Sequence, residues 1–139
     1  MGIAVTIYSG VQPDPTFDQV PEGITLAKSA GSDAILGVGG GSALDAAKAI
    51  SAGAVIDDDV SSLEGFQKVV KQPLALYYVP STSGTAAEVS MVAVISDPES
   101  HEKSGVVSPK LICKVAALDP VILQGMPPPI LPPPQVPMP

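Results

Sequence analysis

The feature that most restricts the fold is a run in the first third of the chain. Residues 34–38 (AILGV) lead without a polar residue into Gly39-Gly40-Gly41-Ser42, and these into residues 43–52 (ALDAAKAISA). A short apolar run closed by glycines reads as a strand buried on both faces, the habit of parallel sheets. The segment behind it is built almost wholly from strong helix formers. Strand, glycine turn and helix in that order make one βα unit, and such units imply an α/β domain.

The rest of the chain fits that class. Residues 3–8 (IAVTIY) form a β-branched run ended by Ser9-Gly10, which predicts a strand. Pro13-Asp14-Pro15 is turn chemistry, and Thr16 can cap a helix running to Ala30, with Pro21 delaying or kinking its first turns. Residues 74–79 predict another strand, stopped by Pro80. Residues 89–96 and 104–107 predict a hairpin around Asp97-Pro98-Glu99, and residues 115–118 a last strand before Asp119-Pro120. The expected fold is α/β, a Rossmann-like, mostly parallel sheet with a β-hairpin, over residues 1–125. Residues 126–139 hold half of the 16 prolines and no charge, which predicts an extended polyproline or disordered tail.

Charge and composition remove several classes of function. Seven basic residues against 14 acids give a net charge of −7, so no basic stripe can displace counterions from nucleic acid. No apolar run reaches the ~20 residues of a membrane helix, and no basic-then-apolar leader opens the chain. The first six residues fit a myristoylation pattern, but they make a better strand. The single cysteine, Cys113, reads as a small buried apolar side chain, and His101 has no second histidine or cysteine nearby to share a metal. A cytoplasmic protein without nucleic-acid or membrane partners is expected.

Two loops carry candidate chemistry. With Gly37, the glycine turn reads G-x-G-x-x-S, one residue short of the dinucleotide fingerprint. Amides without Cβ bulk can approach an anion, and the following helix turns its positive end to it. Ser42 is placed to cap that helix, with Asp45 in capping-box position. The same turn also serves as a plain strand-to-helix connection. No Lys-Ser/Thr pair follows it, which argues against nucleoside triphosphate hydrolysis. Residues 80–88 (PSTSGTAAE) follow another strand, and right-handed crossovers would bring them to the same sheet edge. Their hydroxyls can bond ribose and phosphate oxygens; an ordinary helix cap near Glu88 is the plainer reading. Asp57-Asp58-Asp59 reads as a solvated loop. Ser100-His101-Glu102-Lys103 fits S-x-x-K and Lys103-Ser104-Gly105 looks like a β-lactamase element, yet one hairpin cannot supply both parts of that site.

Taken together, these motifs resemble one family. GGGSALDAAK at residues 39–48 is similar to the GGGSxxDxAK signature of the iron-containing alcohol dehydrogenases. Residues 80–88 resemble that family's P-T-T-x-G-T-x-x-E loop, with Ser81 for the first threonine, and residues 10–16 its G-V-x-P-N-P-T turn, with Asp14 for asparagine. Ser62-Leu63-Glu64-Gly65, Leu118-Asp119-Pro120 and Gly125-Met126-Pro127-Pro128 line up in the same order. The resemblance implies an NAD- or NADP-dependent oxidoreductase that interconverts an alcohol and an aldehyde or ketone by hydride transfer, with iron(II) polarising the alcohol oxygen. It implies that Gly40, Gly41 and Ser42 hold the pyrophosphate, with Asp45 towards the nicotinamide. Ser81, Thr82 and Thr85 would line the adenine-ribose and phosphate side, Asp14 would meet a cofactor sugar or phosphate, and Lys103 and Val94 would flank the cofactor. It assigns no catalytic residue and no metal ligand to this chain.

The departures shape the expectation further. The family's first βα unit and its helical, iron-binding domain have no counterpart in this sequence, so an incomplete fold and an inactive fragment are expected, with a homo-oligomer left open. The composition break at Ile130 suggests a shifted reading frame: codons CCG-CCA-CAG-GTG-CCG-ATG-CC for residues 133–139, read from the first G, encode the family-like Ala-Thr-Gly-Ala-Asp-Ala. The competing reading is a non-catalytic protein, either nucleotide-binding or docking its PxxP-spaced tail (Pro129 to Pro132, Pro134 to Pro137) into an aromatic groove.

Overall fold

Helix α1 (Val20–Ser29), strand β1 (Ala34–Gly39) and helix α2 (Gly41–Gly53) follow one another in the order the sequence predicts. The structure is a computed structural model that describes residues 2–98 and 102–126. Beyond α2 come β2 (Gly65–Phe66), β3 (Ala75–Pro80), β4 (Val92–Ser96), β5 (Lys103–Val107), β6 (Val115–Ala116) and the single turn α3 (Pro120–Leu123). The strands form two three-stranded sheets. One, in the order β1-β3-β6, is parallel throughout and sets Gly39 beside Pro80. In the other, β4 and β5 form the expected antiparallel hairpin, and β2 adds to β5 in parallel.

Helix α2 is the centre of the molecule. Leu44 and Ala47 pack with Leu76, Tyr78 and Ala87 of the parallel sheet and its loop. Ala49, Ile50 and Ala52 face Val20 and Ala27 of α1 and Ala93, Ile95 and Val106 of the second sheet. All of its residues from 46 to 53 are buried, which accounts for the alanine-rich composition, since a helix apolar all round belongs in an interior. Where α1 crosses it, a Cβ on Gly23 would collide with Ile50 and one on Gly53 with Ile24, so both glycines serve close approach.

Several expectations need correction. Residues 3–8 are not a strand: no described segment pairs with them, and Ile3, Val5 and Ile7 stand in solvent. A β-branched run becomes a strand only against a neighbour whose backbone it can bond. Helix α1 starts at Val20 rather than after Thr16, because the preceding residues are tied to β4: the Ser96 N–H donates to Pro15 O (2.8 Å) and the Phe17 N–H to Ser96 O (3.2 Å). Pro21 thereby falls in the first helical turn, where its missing N–H leaves no bond unmade. The expected strand over 89–96 begins only at Val92, after turns that include Ala86 at φ 52°, and β6 stops at Ala116 rather than Leu118. Strand β2, and the standing of the expected hairpin as a sheet of its own, are additions that sequence patterning did not foresee. Nor is β1 covered on both faces: α2 packs on one, while Leu36 and Val38 on the other are 61 % and 59 % exposed. His101, the hairpin tip with Glu99 and Ser100, and residues 127–139 of the proline-rich tail lie outside the described residues.

Candidate functional site

Because β1 and β3 are neighbours in register, the loops that follow them leave one edge of the sheet side by side. The Ser81 N–H donates to Gly39 O at 2.8 Å, which ties the second loop to the first. Gly39, at φ 146°, makes the sharp turn that starts α2 at once, and a Cβ there would meet Ala43 at 2.7 Å. The residue that caps α2 is Gly40, not Ser42, so the expected capping box does not form. Ser42 lies inside the first turn, and its Oγ accepts the Asp14 N–H at 3.3 Å. The first amides of α2 therefore have no side-chain cap, and the positive end of the helix is left at this edge.

Thr82 and Thr85 stand directly against the glycines. A Cβ on Gly40 would lie 3.1 Å from Thr82 Cγ2, and one on Gly41 would lie 2.8 Å from Thr85 Cγ2. Only residues without side chains let the two loops come this close. The Thr85 Oγ1 accepts the Ala87 N–H at 3.3 Å, which fixes its own turn. Asp14 adopts φ 53°, a conformation open to Asp and Asn, and its Oδ1 accepts from Lys103 Nζ at 2.9 Å. Lys103 pairs with Ser96 and Val94 with Gly105, so Val94 and Lys103 share one face of the hairpin. The structure thus gathers Asp14, Gly40, Gly41, Ser42, Ser81, Thr82, Thr85 and Lys103 at one rim, with Val94 one row along the hairpin. Asp45, one turn further into α2, points to Lys48 instead.

Lys48 closes the motif at residues 39–48, but the motif assigns it no role. It has no exposed surface, and its Nζ donates to Asp45 Oδ1 (3.1 Å) and to Val92 O (2.6 Å). Burial pushes the ammonium pKa down, against the opposing pull of Asp45 and, more weakly, of Cys113 and Glu88. Burial likewise pushes the Tyr78 phenol and the Cys113 thiol up. Cys113 is half-buried rather than fully so, and its Sγ–H donates to Glu88 O at 3.1 Å. The buried Tyr78 hydroxyl has no hydrogen-bond partner among the described residues. A signal for Lys48 does exist in the sequence: Asp45 and Lys48 are the only charges on α2, three residues apart, and a charge on a helix buried all round needs a partner.

Among the described residues, no three histidine, cysteine or acidic side chains converge on a point where a metal ion could sit. The described residues do not fit an iron centre. They do fit a dinucleotide, offering uncapped amides, two glycines that leave space, hydroxyls and one cation at a single edge. A cavity of about 300 Å³ lies away from this edge, lined by Gln72, Lys110 and Lys114 near the start of β3. No helix among the described residues is long and apolar enough to cross a membrane.

Comparison with known proteins gives a consistent picture. A family model described as iron-containing alcohol dehydrogenase matches residues 1–120. The lactaldehyde reductase of Escherichia coli (strain K12) is 40 % identical over 131 residues, covering 91 % of this chain and 34 % of its own length. Among solved structures, an alcohol dehydrogenase from Oenococcus oeni superposes with a TM-score of 0.87 at 33 % identity, over 93 % of this chain and 34 % of that one. A sulfoacetaldehyde reductase from Bifidobacterium kashiwanohense, in complex with NAD+, gives a TM-score of 0.84 at 28 % identity, over 91 % of this chain and 34 % of that one. The chain spans about a third of the length of the curated relatives it matches.

Proposed function

Because the chain belongs to the iron-containing alcohol dehydrogenase family, we propose that it supplies the dinucleotide-binding side of a cytoplasmic NAD(P)-dependent oxidoreductase that interconverts an alcohol and an aldehyde or ketone. The observation that carries this reading is the meeting of the glycine turn and the hydroxyl loop at one rim, bonded from Ser81 to Gly39. The uncapped amides at the start of α2 receive the diphosphate, helped by the helix dipole. Ser81, Thr82 and Thr85 offer hydroxyls to ribose and phosphate oxygens, and Lys103 adds a positive charge. Val94 gives an apolar wall, and Asp45, bonded to Lys48 one turn into α2, would lie on the nicotinamide side. The bound nicotinamide supplies the hydride chemistry. No step is assigned to iron, since no described cluster holds it. The NAD+ in the Bifidobacterium relative supports NAD as the cofactor.

Titrating the 139-residue chain with NADH, followed by nicotinamide fluorescence, tests the proposal, with ATP and buffer run in parallel. Weak, saturable NADH binding that NAD+ displaces and ATP does not is expected, without alcohol-dependent NADH formation. An equal response to ATP would favour a non-catalytic nucleotide-binding domain. No response to NADH at millimolar concentration would overturn the proposal, and chelator-resistant turnover would overturn the expectation of inactivity.

A further inference from the structure

We propose that Asp14 is a specificity-determining residue: by occupying Lys103 with its own carboxylate, it makes the groove admit diphosphate groups and turn away simple carboxylates. This inference rests on the reading of the rim as a diphosphate site. The pairing is enforced by the backbone. Pro15 O and the Phe17 N–H both bond Ser96, and Ser96 is the register partner of Lys103, so the segment carrying Asp14 is docked on the strand pair carrying Lys103. From its other side, Asp14 donates its N–H to Ser42 Oγ at 3.3 Å. Two flanking prolines, Pro13 and Pro15, restrict the chain further. The carboxylate is thus placed on Lys103 at 2.9 Å by three elements.

Lys103 is brought to the rim by its ion pair with Asp14. Lys28 bonds Ile56 O, Lys48 is buried on Asp45, Lys71 faces Asp57, and Lys110 bonds Val70 O. An incoming carboxylate would exchange one carboxylate for another at Lys103, losing its own hydration and freedom, while Asp14 is tethered and so always at hand. A diphosphate brings more charge and more acceptor oxygens, and it gains the amides of α2 as well, so it prevails while Asp14 turns to solvent. The selection is made by a competitor within the site rather than by a better contact to the ligand.

Competitive acetylation of lysines, read at residue 103 by mass spectrometry, tests the idea with inorganic pyrophosphate and malonate as probes. In the native chain, pyrophosphate should protect Lys103 and malonate should not. Asp14→Asn keeps the backbone conformation and removes the charge. It should label faster at Lys103, need about fivefold less pyrophosphate for half-protection (~1 kcal/mol of repulsion removed at about 4 Å in water), and become protectable by malonate. Asp58→Asn, which removes the same charge beyond the far end of α2, should change none of these. Unchanged labelling in Asp14→Asn, or continued indifference to malonate, overturns the inference. A parallel NADH titration separates it from the wider reading. If Asp14 governs pyrophosphate protection but NADH does not bind, the dinucleotide assignment fails and this one stands. If NADH binds while Lys103 ignores Asp14, only this one fails.

Discussion

Lys48 shows how much a single side chain can decide. Its ammonium bridges Asp45 on α2 and the Val92 carbonyl on β4, so it fixes the helix that opens the groove against the hairpin that carries Lys103. Lys48→Met should cost about 1–3 kcal/mol, because it leaves the Asp45 carboxylate and a backbone carbonyl without their donor. The pH dependence follows from burial. The folded-state pKa of Lys48 is lowered, so between that value and the ~10.4 of an unfolded lysine the folded chain binds fewer protons, and stability rises with pH. Urea midpoints measured from pH 8 to 10 should show this rise in the native chain and not in Lys48→Met. Tyr78 acts in the opposite sense. Its raised pKa means that stability falls as pH climbs above the ~10 of an unfolded tyrosine. Tyr78→Phe should remove that fall and, at pH 7, leave stability equal or up to about 1 kcal/mol higher, since the hydroxyl has no described partner. A loss of more than 1 kcal/mol would mean that the hydroxyl is bonded after all.

At the scale of elements, the glycine turn and the hydroxyl loop act as one unit. Gly41→Ala places a methyl 2.8 Å from Thr85 Cγ2, and overpacking of this kind costs about 1–3 kcal/mol. The Thr85 Oγ1 lies 2.9 Å from the same methyl and its Cβ 3.1 Å, so Thr85→Ala, which removes both Cγ2 and Oγ1, should lessen the added cost of Gly41→Ala in urea midpoint. Equal costs of Gly41→Ala with threonine or alanine at 85 would show that the two loops do not press on each other there. The βα unit itself was legible in the sequence, because a strand, a glycine turn and an alanine-rich helix are each specified by neighbouring residues. The cap was not. Ser42 has the right chemistry for the N-cap, but the turn made by Gly39 starts the helix at Gly41, one residue before Ser42, and frees the hydroxyl for Asp14. Thr16 likewise has cap chemistry, yet the residues around it are taken up by β4.

Across the whole molecule, α2 is covered on several sides while the parallel sheet is covered on one. Leu36, Tyr77 and Val115 stand in register across β1, β3 and β6, and with Val38 they form an exposed apolar face next to the edge of β1 with which no described strand pairs. Apolar faces and open strand edges of this kind promote association. Sedimentation should therefore show concentration-dependent self-association that Leu36→Lys combined with Val38→Thr reduces; sedimentation unchanged by that pair would locate the association elsewhere. The sequence by itself determined the local units, namely β1 with its glycine turn, α2 and the β4–β5 hairpin, together with the residue types at the rim. It did so because dihedral preference, apolar run and turn chemistry act between residues close along the chain. Only the tertiary structure decided that residues 3–8 pair with no described strand, that α2 is enclosed between two sheets with Lys48 buried inside, and that Asp14 meets Lys103. Pairing, burial and charge neighbours depend on segments far apart in sequence, whose relative placement local preferences leave undetermined.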